Sequence, residues 1–467
     1  MANEFTVEQD LFKQSFLPIF VTTVDERLLE KEILLSFLRT DTNEGRIGVS
    51  AIYGKRCATT AIAFATRTST LVIQFSKQAD RRIWRLLMAC ILNDPRYTKC
   101  AFKMDTLALS LFTDKSLRIS NAIDLLSLRI AHKRHSLEAL FAVMGGEANL
   151  HRDSVKNLFF NDTKEMSRSD VAIQAWAACQ VAIISDITSI PRIDTFKLTR
   201  KASCFRASKI ARDGDLLESI KPTFTKNEVR GDFTLKKDNL NLTCERFGTR
   251  IRRSGNQVIM IETKDGTTTN NVAGRARRVQ GRSAQVSVNG PVNGEIVSVN
   301  TIGKGDMTCA EIARQEIILD VLQGQTSLLS QPFFQRIWLP HGPMSWPKQD
   351  DKILEPSIYF PGRALNISQG MAVEKILSAD DDNQVVVIHG PPGTGKTTVI
   401  AAAVTSFHHA DHERPVWIAA QSNVAVKNIA EKLCAVDFHN FKLLVSKDFH
   451  FDWCPFSFRT TLPRDFK

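Results

Sequence analysis

The chain has 467 residues and a mass of 52.3 kDa, with 43% hydrophobic and 24% charged residues and a formal net charge of +11. That length supports about two to four domains, and the composition is ordinary for a soluble globular protein. Apolar runs such as 16–21 and 385–388 are too short to cross a bilayer, and the first ten residues, MANEFTVEQD, lack the basic start and apolar core of a secretory signal. An intracellular protein, cytoplasmic or nuclear, is expected. The nine cysteines are scattered without a C-x-x-C pair or a zinc-like histidine spacing, so they read as reduced thiols used as small apolar residues.

Residues 4–194 alternate strand-like and helix-like stretches, as a mixed α/β domain does. Three strands are expected at 46–52, 58–65 and 70–75, the last two joined by the polar turn 66–69. RHSLEALFAVMGG has apolar residues at helical spacing and stops at Gly145 and Gly146. A second helix, in RSDVAIQAWAACQVAIISDI, has Ser169 or Asp170 as its cap. The boundaries expected are a domain at 1–195 and a linker at 196–229.

From about Gly231 to Val299 the pattern changes to short alternating strands (VIMIET, DGTTTN, AQVSVNG and EIVSVN) punctuated by Asp-Gly and Asn-Gly turns. This predicts a small β-barrel of the SH3 or OB kind over 230–305. Residues 230–282 carry twelve Lys/Arg against five Asp/Glu, so this section holds most of the positive charge. An anionic partner, nucleic acid first, is one reading; a solvated basic surface is the other. Phe233 and Phe247 are the section's only aromatics, which favours backbone contact over base stacking. Arg250 and Arg252, two apart in FGTRIRRSG, would share one face of a strand as a phosphate track. TCAEIARQEIILDVLQGQ then reads as one helix opened by a Thr308–Glu311 capping box, a stalk within 306–355 leading from the barrel to the section that follows, with the Pro-rich loop at 339–347.

The strongest motif is Gly390-Pro391-Pro392-Gly393-Thr394-Gly395-Lys396-Thr397, which fits G-x-x-x-x-G-K-[ST] at every fixed position. Glycines 390, 393 and 395 let backbone N–H groups turn toward phosphate oxygens, and a helix starting near Lys396 adds its positive end. Lys396 supplies a point charge for the β/γ-phosphates and the Thr397 hydroxyl is placed to ligate Mg²⁺, making these two the candidate catalytic residues. Thr398 completes the candidate nucleotide contacts. The apolar run 385–388 is expected to be a central parallel strand. HHADH at 408–412 reads as a polar surface loop rather than a metal cluster.

Two flanking stretches, ALNISQGMAVEKIL (364–377) and PVWIAAQSNVAVKNIAEKL (415–433), carry a resemblance to the superfamily 1B helicases of the Upf-like/SMUBP group, which translocate 5′ to 3′ on RNA or DNA. Leu365-Asn366-Ile367-Ser368-Gln369 matches the family's L-N-x-S-Q, which implies that Gln369 reads adenine and that the nucleotide is ATP with Mg²⁺. Ser422, Asn423 and Val424-Ala425-Val426 match its S-N-x-A-V, which implies contact between Ser422 and Asn423 and the nucleic-acid backbone. Gln421 departs from the usual Pro, and Lys427 stands where an acidic residue is common. The resemblance covers about 231–452 and implies a partial RecA-like, P-loop parallel-sheet lobe at 356–453, with the basic barrel in the place of the family's domain 1B.

Hydrolysis in this fold needs an Asp ending an apolar strand and a Glu beside it. The only Asp-Glu pair in that order is Asp25-Glu26, far ahead of the P-loop, and no acidic pair follows an apolar strand after Asn423. The segment after Trp453 has neither helical nor strand periodicity. The expectation is therefore a truncated lobe, deficient in hydrolysis, with an irregular tail at 454–467. A non-catalytic nucleic-acid-binding or scaffold protein that retains nucleotide affinity is the alternative.

The first domain in turn resembles the DEDD 3′–5′ exonucleases, which implies an RNase H-like fold built to gather four carboxylates around two metal ions. Asp105, after a strand and opening a helix, matches the second-motif carboxylate. The first-strand D-x-E falls near Ser50 and Ile52, and the last-helix Y-x-x-x-D falls in 175–180 with Trp176 and no acid. A catalytically inactive relative is expected; the alternative is an unrelated α/β domain whose Asp105 merely caps a helix.

Overall fold

The computed structural model describes every residue except 1–2, 41–44, 77–80, 129–133, 161–164, 199–201, 222, 231–233, 237–238, 247, 255–256, 306, 339–345, 347–356, 414 and 445–467. The expected roles of Phe233 and Phe247, the Pro-rich loop and the tail after 453 thus fall outside the described residues. The chain divides into two compact units, Met1–Lys221 with Met307–Gly342, and Pro222–Asp306 with Pro343–Lys467.

The first unit is a mixed α/β sheet packed on both faces. Its strands are β1 (Asn3–Val7), β2 (Ile19–Asp25), β3 (Arg46–Tyr53), β4 (Thr59–Ala65), β5 (Ser69–Gln74), β6 (Thr98–Ala101) and β7 (Ala122–Asp124), in the order β1-β2-β5-β4-β3-β6-β7. The pairs β2/β5, β3/β6 and β6/β7 are parallel and the others antiparallel. The helices are α1 (Lys31–Arg39), α2 (Arg81–Leu87), α3 (Met104–Lys115), α4 (Leu137–Val143), α5 (Arg152–Phe160), α6 (Arg168–Ile184), α7 (Ala202–Ser219), α8 (Cys309–Gln323) and α9 (Pro332–Trp338). Strand β4 reads as an unbroken apolar run because both its faces are covered. Ile62 and Phe64 enter one core with Leu34 and Leu107, while Ala61 and Ala63 enter the other with Val72 and Trp176.

Small residues let α6 lie directly on β3 and β4. A Cβ at Gly48 would stand 1.9 Å from the Ala175 carbonyl oxygen, so only glycine allows this approach. The α6 cap is Ser167, neither Ser169 nor Asp170: Ser167 Oγ accepts from the Asp170 N–H and the Asp170 carboxylate accepts from the Ser167 N–H. The capping-box spacing puts the acid three residues inside the helix, which moves the start upstream of the sequence estimate. Helix α4 ends where expected, with Gly145 and Gly146 both at positive φ.

Two boundaries need correction. The expected linker 196–229 contains the 18-residue helix α7 and a strand of the following sheet. Helix α8 has the expected capping box, the Thr308 N–H donating to Glu311 at 2.7 Å, but it is part of the first unit. Its Leu319 and Leu322 are buried in that unit's core, and Glu311 is ion-paired with Lys221 at 2.8 Å. An apolar face over 318–322 has more to gain from that core than from solvent.

The second unit holds a seven-stranded antiparallel sheet of β8 (Phe224–Asn227), β9 (Thr234–Lys236), β10 (Asn239–Thr243), β11 (Val258–Asp265), β12 (Thr268–Gln280), β13 (Ser283–Val288) and β14 (Glu295–Ile302), ordered β8-β14-β11-β12-β13-β10-β9. Beyond β8 the chain bridges Val229 to Cys244, with Arg230 N–H donating to the Thr243 carbonyl at 2.8 Å and Glu245 N–H to the Glu228 carbonyl at 2.7 Å. The first strand therefore returns to β10 and the sheet closes on itself around Leu240, Leu242, Ile261, Val286 and Val299. The stretch DGTTTN is a turn, with Gly266 at φ +61, and the opening of the 13-residue β12.

The remaining helices are α10 (Ile367–Leu377), α11 (Lys396–Ala410) and α12 (Asn423–Cys434), which share two small cores: Val373, Leu377, Val399 and Ala402 in one, Ala401, Val404 and Leu433 in the other. The expected parallel strand at 385–388 does not form; among the described residues from 357 to 444, the segment before Ser422 included, there is no strand at all. Val387 and Trp417 are 87% and 86% exposed. These segments have the apolar content of central strands but no hydrogen-bonded neighbour among the described residues, and a strand is stable only within a ladder. Residues His408 and His409, expected in a loop, close the last turn of α11.

Candidate nucleotide-binding site

The P-loop lies between the irregular segment that precedes Gly390 and the first turn of α11, which begins at Lys396 as expected. Gly393 and Gly395 hold φ of +84 and +85, the left-handed region that favours glycine. Gly390 answers to space instead: a Cβ there would come within 2.7 Å of Thr394 Oγ1. Pro391, Pro392, Gly393 and Thr394 are exposed, and Thr394 Oγ1 donates to the Pro391 carbonyl at 2.9 Å. The exposed Lys396 curls back over the loop, its Nζ donating to the carbonyls of Gly390 (2.6 Å) and Pro391 (3.0 Å). Thr397 is half-buried, whereas Thr398 is 5% exposed, so its hydroxyl sits beneath the loop.

Gln369 is fixed from both ends of its amide. Its Oε1 accepts from the Asn366 N–H at 3.1 Å, and Asn366 Oδ1 accepts from the Gln369 N–H at 2.8 Å, a capping box that opens α10. Its Nε2 donates to the Thr394 carbonyl at 3.1 Å. A Cβ at Gly395 would meet that nitrogen at 2.5 Å, so glycine there is what lets Gln369 reach the loop. The motif L-N-x-S-Q thus carries a local structural signal, N-x-x-Q as a helix cap, that the sequence reading passed over. Ser422 likewise caps α12, its Oγ accepting from the Ala425 N–H at 3.2 Å, with Asn423 as the first helical residue.

The phosphate end of a nucleotide suits this donor set: an exposed glycine loop in left-handed geometry, a helix N-terminus and a lysine held, among the described residues, by carbonyl oxygens alone. Gly390 to Thr397 would hold the phosphates, with Thr397 offering a hydroxyl to Mg²⁺. Among the described residues no group of three or more His, Cys, Asp or Glu is placed to hold a metal ion.

Arg250 and Arg252 do not share a strand. They lie in the irregular segment after β10, Arg250 half-buried and Arg252 exposed, on either side of the buried Ile251. The alternation was real, but the ladder stops at Cys244.

In the first unit, the positions expected for exonuclease carboxylates are otherwise occupied. Ser50 on β3 donates to Gln174 Oε1 on α6 at 2.8 Å, so the helix side chain that meets Ser50 is Gln174, just ahead of the expected 175–180 window. The adjoining cavity of about 310 Å³ is lined by Ser50, Tyr53, Lys103, His135, Phe160 and Gln174 among others, with no acid among the described residues of its wall. Asp105 follows β6 and opens α3 as expected, yet it turns inward to an ion pair with Arg134, which also holds Asp124 at 3.1 Å. Burial raises the Asp105 carboxyl, but Arg134 outweighs it and leaves the group below the usual range. Burial raises Asp124, helped by the Asp105 charge, and Arg134 offsets only part of this. Burial also depresses His135 to about 3, with Arg134 and Lys103 adding to the effect, so its ring is neutral.

Residues 364–447 match the family model described as AAA domain. Over the same part the chain resembles superfamily 1 helicases of the Upf and SMUBP kind. It is 44% identical over 72 residues to the Regulator of nonsense transcripts 1 homolog of Arabidopsis thaliana, covering 15% of this chain and 5% of that one. It is 38% identical over 74 residues to the mouse RNA helicase Mov10l1, covering 16% of this chain and 6% of the relative. DNA-binding protein SMUBP-2 of Mesocricetus auratus is 38% identical over 78 residues, 17% and 7% of the two chains. The chain thus spans less than a tenth of the length of these relatives. Among solved structures, the catalytic core of RRP6 from Trypanosoma brucei is similar at 17% identity and a TM-score of 0.25, covering 38% of this chain and 49% of that one. The EXD2 exonuclease domain is similar at 18% identity and a TM-score of 0.20, covering 35% and 85%.

Proposed function

We propose that the AAA segment binds ATP with Mg²⁺ and that the chain acts on RNA or DNA as part of a superfamily 1B helicase-type protein. The observation that carries this reading is the P-loop itself: left-handed Gly393 and Gly395 deliver an exposed Lys396 onto the first turn of α11, inside a segment that matches the AAA family. Lys396 and the loop amides hold the phosphates, Thr397 ligates Mg²⁺ and Gln369 faces the base while bracing the loop. Ser422 and Asn423 are the nucleic-acid candidates from the S-N-x-A-V match. Mg²⁺, when bound, would neutralise phosphate charge. The closed β-sheet stands in the place of the family's accessory barrel.

A second reading, nucleotide held without turnover, is favoured by the surroundings of Lys396, whose partners among the described residues are two backbone carbonyls and no carboxylate. Nucleotide binding and hydrolysis, measured with and without RNA or DNA on wild type and Lys396→Ala, separate the two. Stimulated turnover abolished by the substitution supports the motor. Binding without turnover supports the holding role, and no ATP binding by wild type sinks both.

For the first unit we propose an RNase H-like domain, related to the exonucleases and without their metal chemistry. The order β5-β4-β3-β6-β7, with β4 alone reversed, supports the fold. The Ser50–Gln174 hydrogen bond and the Asp105–Arg134 ion pair support the loss of activity. Release of nucleotides from a single-stranded 3′ end in the presence of Mn²⁺ would overturn it.

A further inference from the structure

The register of β12 against β13 slips between Ala276 and Arg278: Arg275 faces Ser287, Ala276 faces Val286, and Arg278 faces Gln285, which leaves Arg277 as the extra residue of a bulge. The slip matters because strict alternation would send one of two consecutive residues inward. Here Ala276 packs toward the sheet's core while Arg275, Arg277 and Arg278 are all exposed. None of the three has an ion pair or side-chain hydrogen bond among the described residues.

Their neighbours on the outer face complete the surface. On β13 the outward residues are Ser283, Gln285 and Ser287, alternating with buried Ala284, Val286 and Val288. On β10 they are Thr243, Asn241 and Asn239, paired with those same three residues in that order. Three adjacent strands thus present unpaired guanidinium groups beside two rows of amides and hydroxyls, with no carboxylate and no aromatic ring at any of these positions.

We infer that this face of β12, β13 and β10 is a phosphate-backbone track for single-stranded nucleic acid, read without regard to base sequence. Three like charges within four residues repel one another, and an anion placed across them removes that cost. Guanidinium forks match phosphate oxygens two at a time, and Ser, Thr, Asn and Gln are the other side chains that donate to phosphate. With no ring among these residues for bases to stack on, affinity comes from charge. The assignment rests on the nucleic-acid reading proposed above and places the contact on β12 rather than on Arg250 and Arg252.

The test uses the full chain and fluorescein-labelled oligo-uridine and oligo-thymidine, with binding followed by anisotropy over a salt series. Arg275→Gln, Arg277→Gln and Arg278→Gln are combined in one variant, whose melting curve shows that the sheet still folds. Its affinity is expected to fall about tenfold or more, and the slope of log K against log salt to shrink by about 2, as for three lost phosphate contacts on a single strand. ATP affinity stays unchanged. The matching triple Arg→Lys variant keeps most of the slope, because the charge remains. A Gln variant with wild-type slope and affinity overturns the track, as does an equal loss produced by Arg250→Gln with Arg252→Gln instead. If wild type binds neither oligonucleotide but binds phosphatidylserine vesicles, the nucleic-acid reading itself fails, and this inference with it.

Discussion

Asp105 on α3 is ion-paired with Arg134, and their side chains keep only 4% and 10% of their surface. Arg134 holds the fully buried Asp124 as well, so one cation serves two carboxylates. Burial holds the Asp124 carboxyl above its ordinary range, and the Asp105 charge adds to the effect. Replacing Arg134 with Met leaves two buried acids without their counter-charge, which costs about 3–5 kcal/mol. Urea unfolding of wild type and Arg134→Met measures it; Arg134→Lys recovers only part, because an ammonium cannot fork between two carboxylates. An unchanged midpoint for the Met variant would show that the pair carries no structural weight.

Much of this was legible in the sequence, and the failures have physical causes. Strands 46–52, 58–65 and 70–75 were found within a residue or two because a sheet covered on both faces leaves a continuous apolar signature. The P-loop was legible because glycine positions and a lysine at fixed spacing encode backbone geometry directly. Arg134 was not, since nothing local marks a basic residue as the partner of an acid 29 positions earlier. The sheet of the AAA segment failed for the opposite reason: 385–388 has every local mark of a strand, but pairing is a property of neighbours. Helix α8 was legible as a helix but its place in the first unit was not, because a capping box and apolar residues mark a helix and not what packs against it.

Gly48→Ala tests the closest approach of helix and sheet. The added methyl would stand 1.9 Å from a backbone oxygen of Ala175 and 2.6 Å from the Cys179 nitrogen, neither of which belongs to a flexible side chain. Helix α6 must move off β3, and overpacking of this kind costs about 1–3 kcal/mol or more. Denaturant unfolding should show the loss, while nucleotide affinity, which resides in the other unit, should not change. A neutral substitution would mean that α6 and β3 stand farther apart than described.

Lys99 gives a pH-dependent prediction. It is fully buried, its Nζ donating to the carbonyls of Tyr97 (2.8 Å) and Asp94 (3.2 Å), and burial depresses it from the ordinary 10.5 to about 8. The sign follows from proton counts. Between pH 8 and 10.5 the unfolded chain holds this proton and the folded chain sheds it, so stability rises with pH across that window. Below pH 8 the full cost of the buried charge, at most about 3 kcal/mol, is present. Lys99→Met removes that slope, and both carbonyls keep another donor, Tyr97 N–H for Asp94 and Asn121 Nδ2 for Tyr97. Unfolding midpoints at several pH values from 7 to 10.5 check it. A variant that retains the wild-type slope would show that Lys99 does not titrate there.

Gln369 is predicted to have two separable roles. As a brace, its Nε2 ties α10 to the Thr394 carbonyl, and its Oε1 caps that helix. Losing the brace in Gln369→Ala loosens the loop for any nucleotide, lowering ATP and GTP affinity alike by about tenfold, the worth of one or two hydrogen bonds. As the proposed adenine reader, it contributes a further loss for ATP alone, because its second amide hydrogen remains free to reach the base. Gln369→Glu sharpens the distinction. The carboxylate still accepts from Asn366 and keeps the cap, but it faces the Thr394 carbonyl with no donor, so the brace is lost while α10 stays formed. Titration with fluorescent ATP and GTP analogues gives both readouts: unchanged GTP affinity in the Ala and Glu variants would sink the brace, and an unchanged ATP-to-GTP ratio would sink the adenine contact.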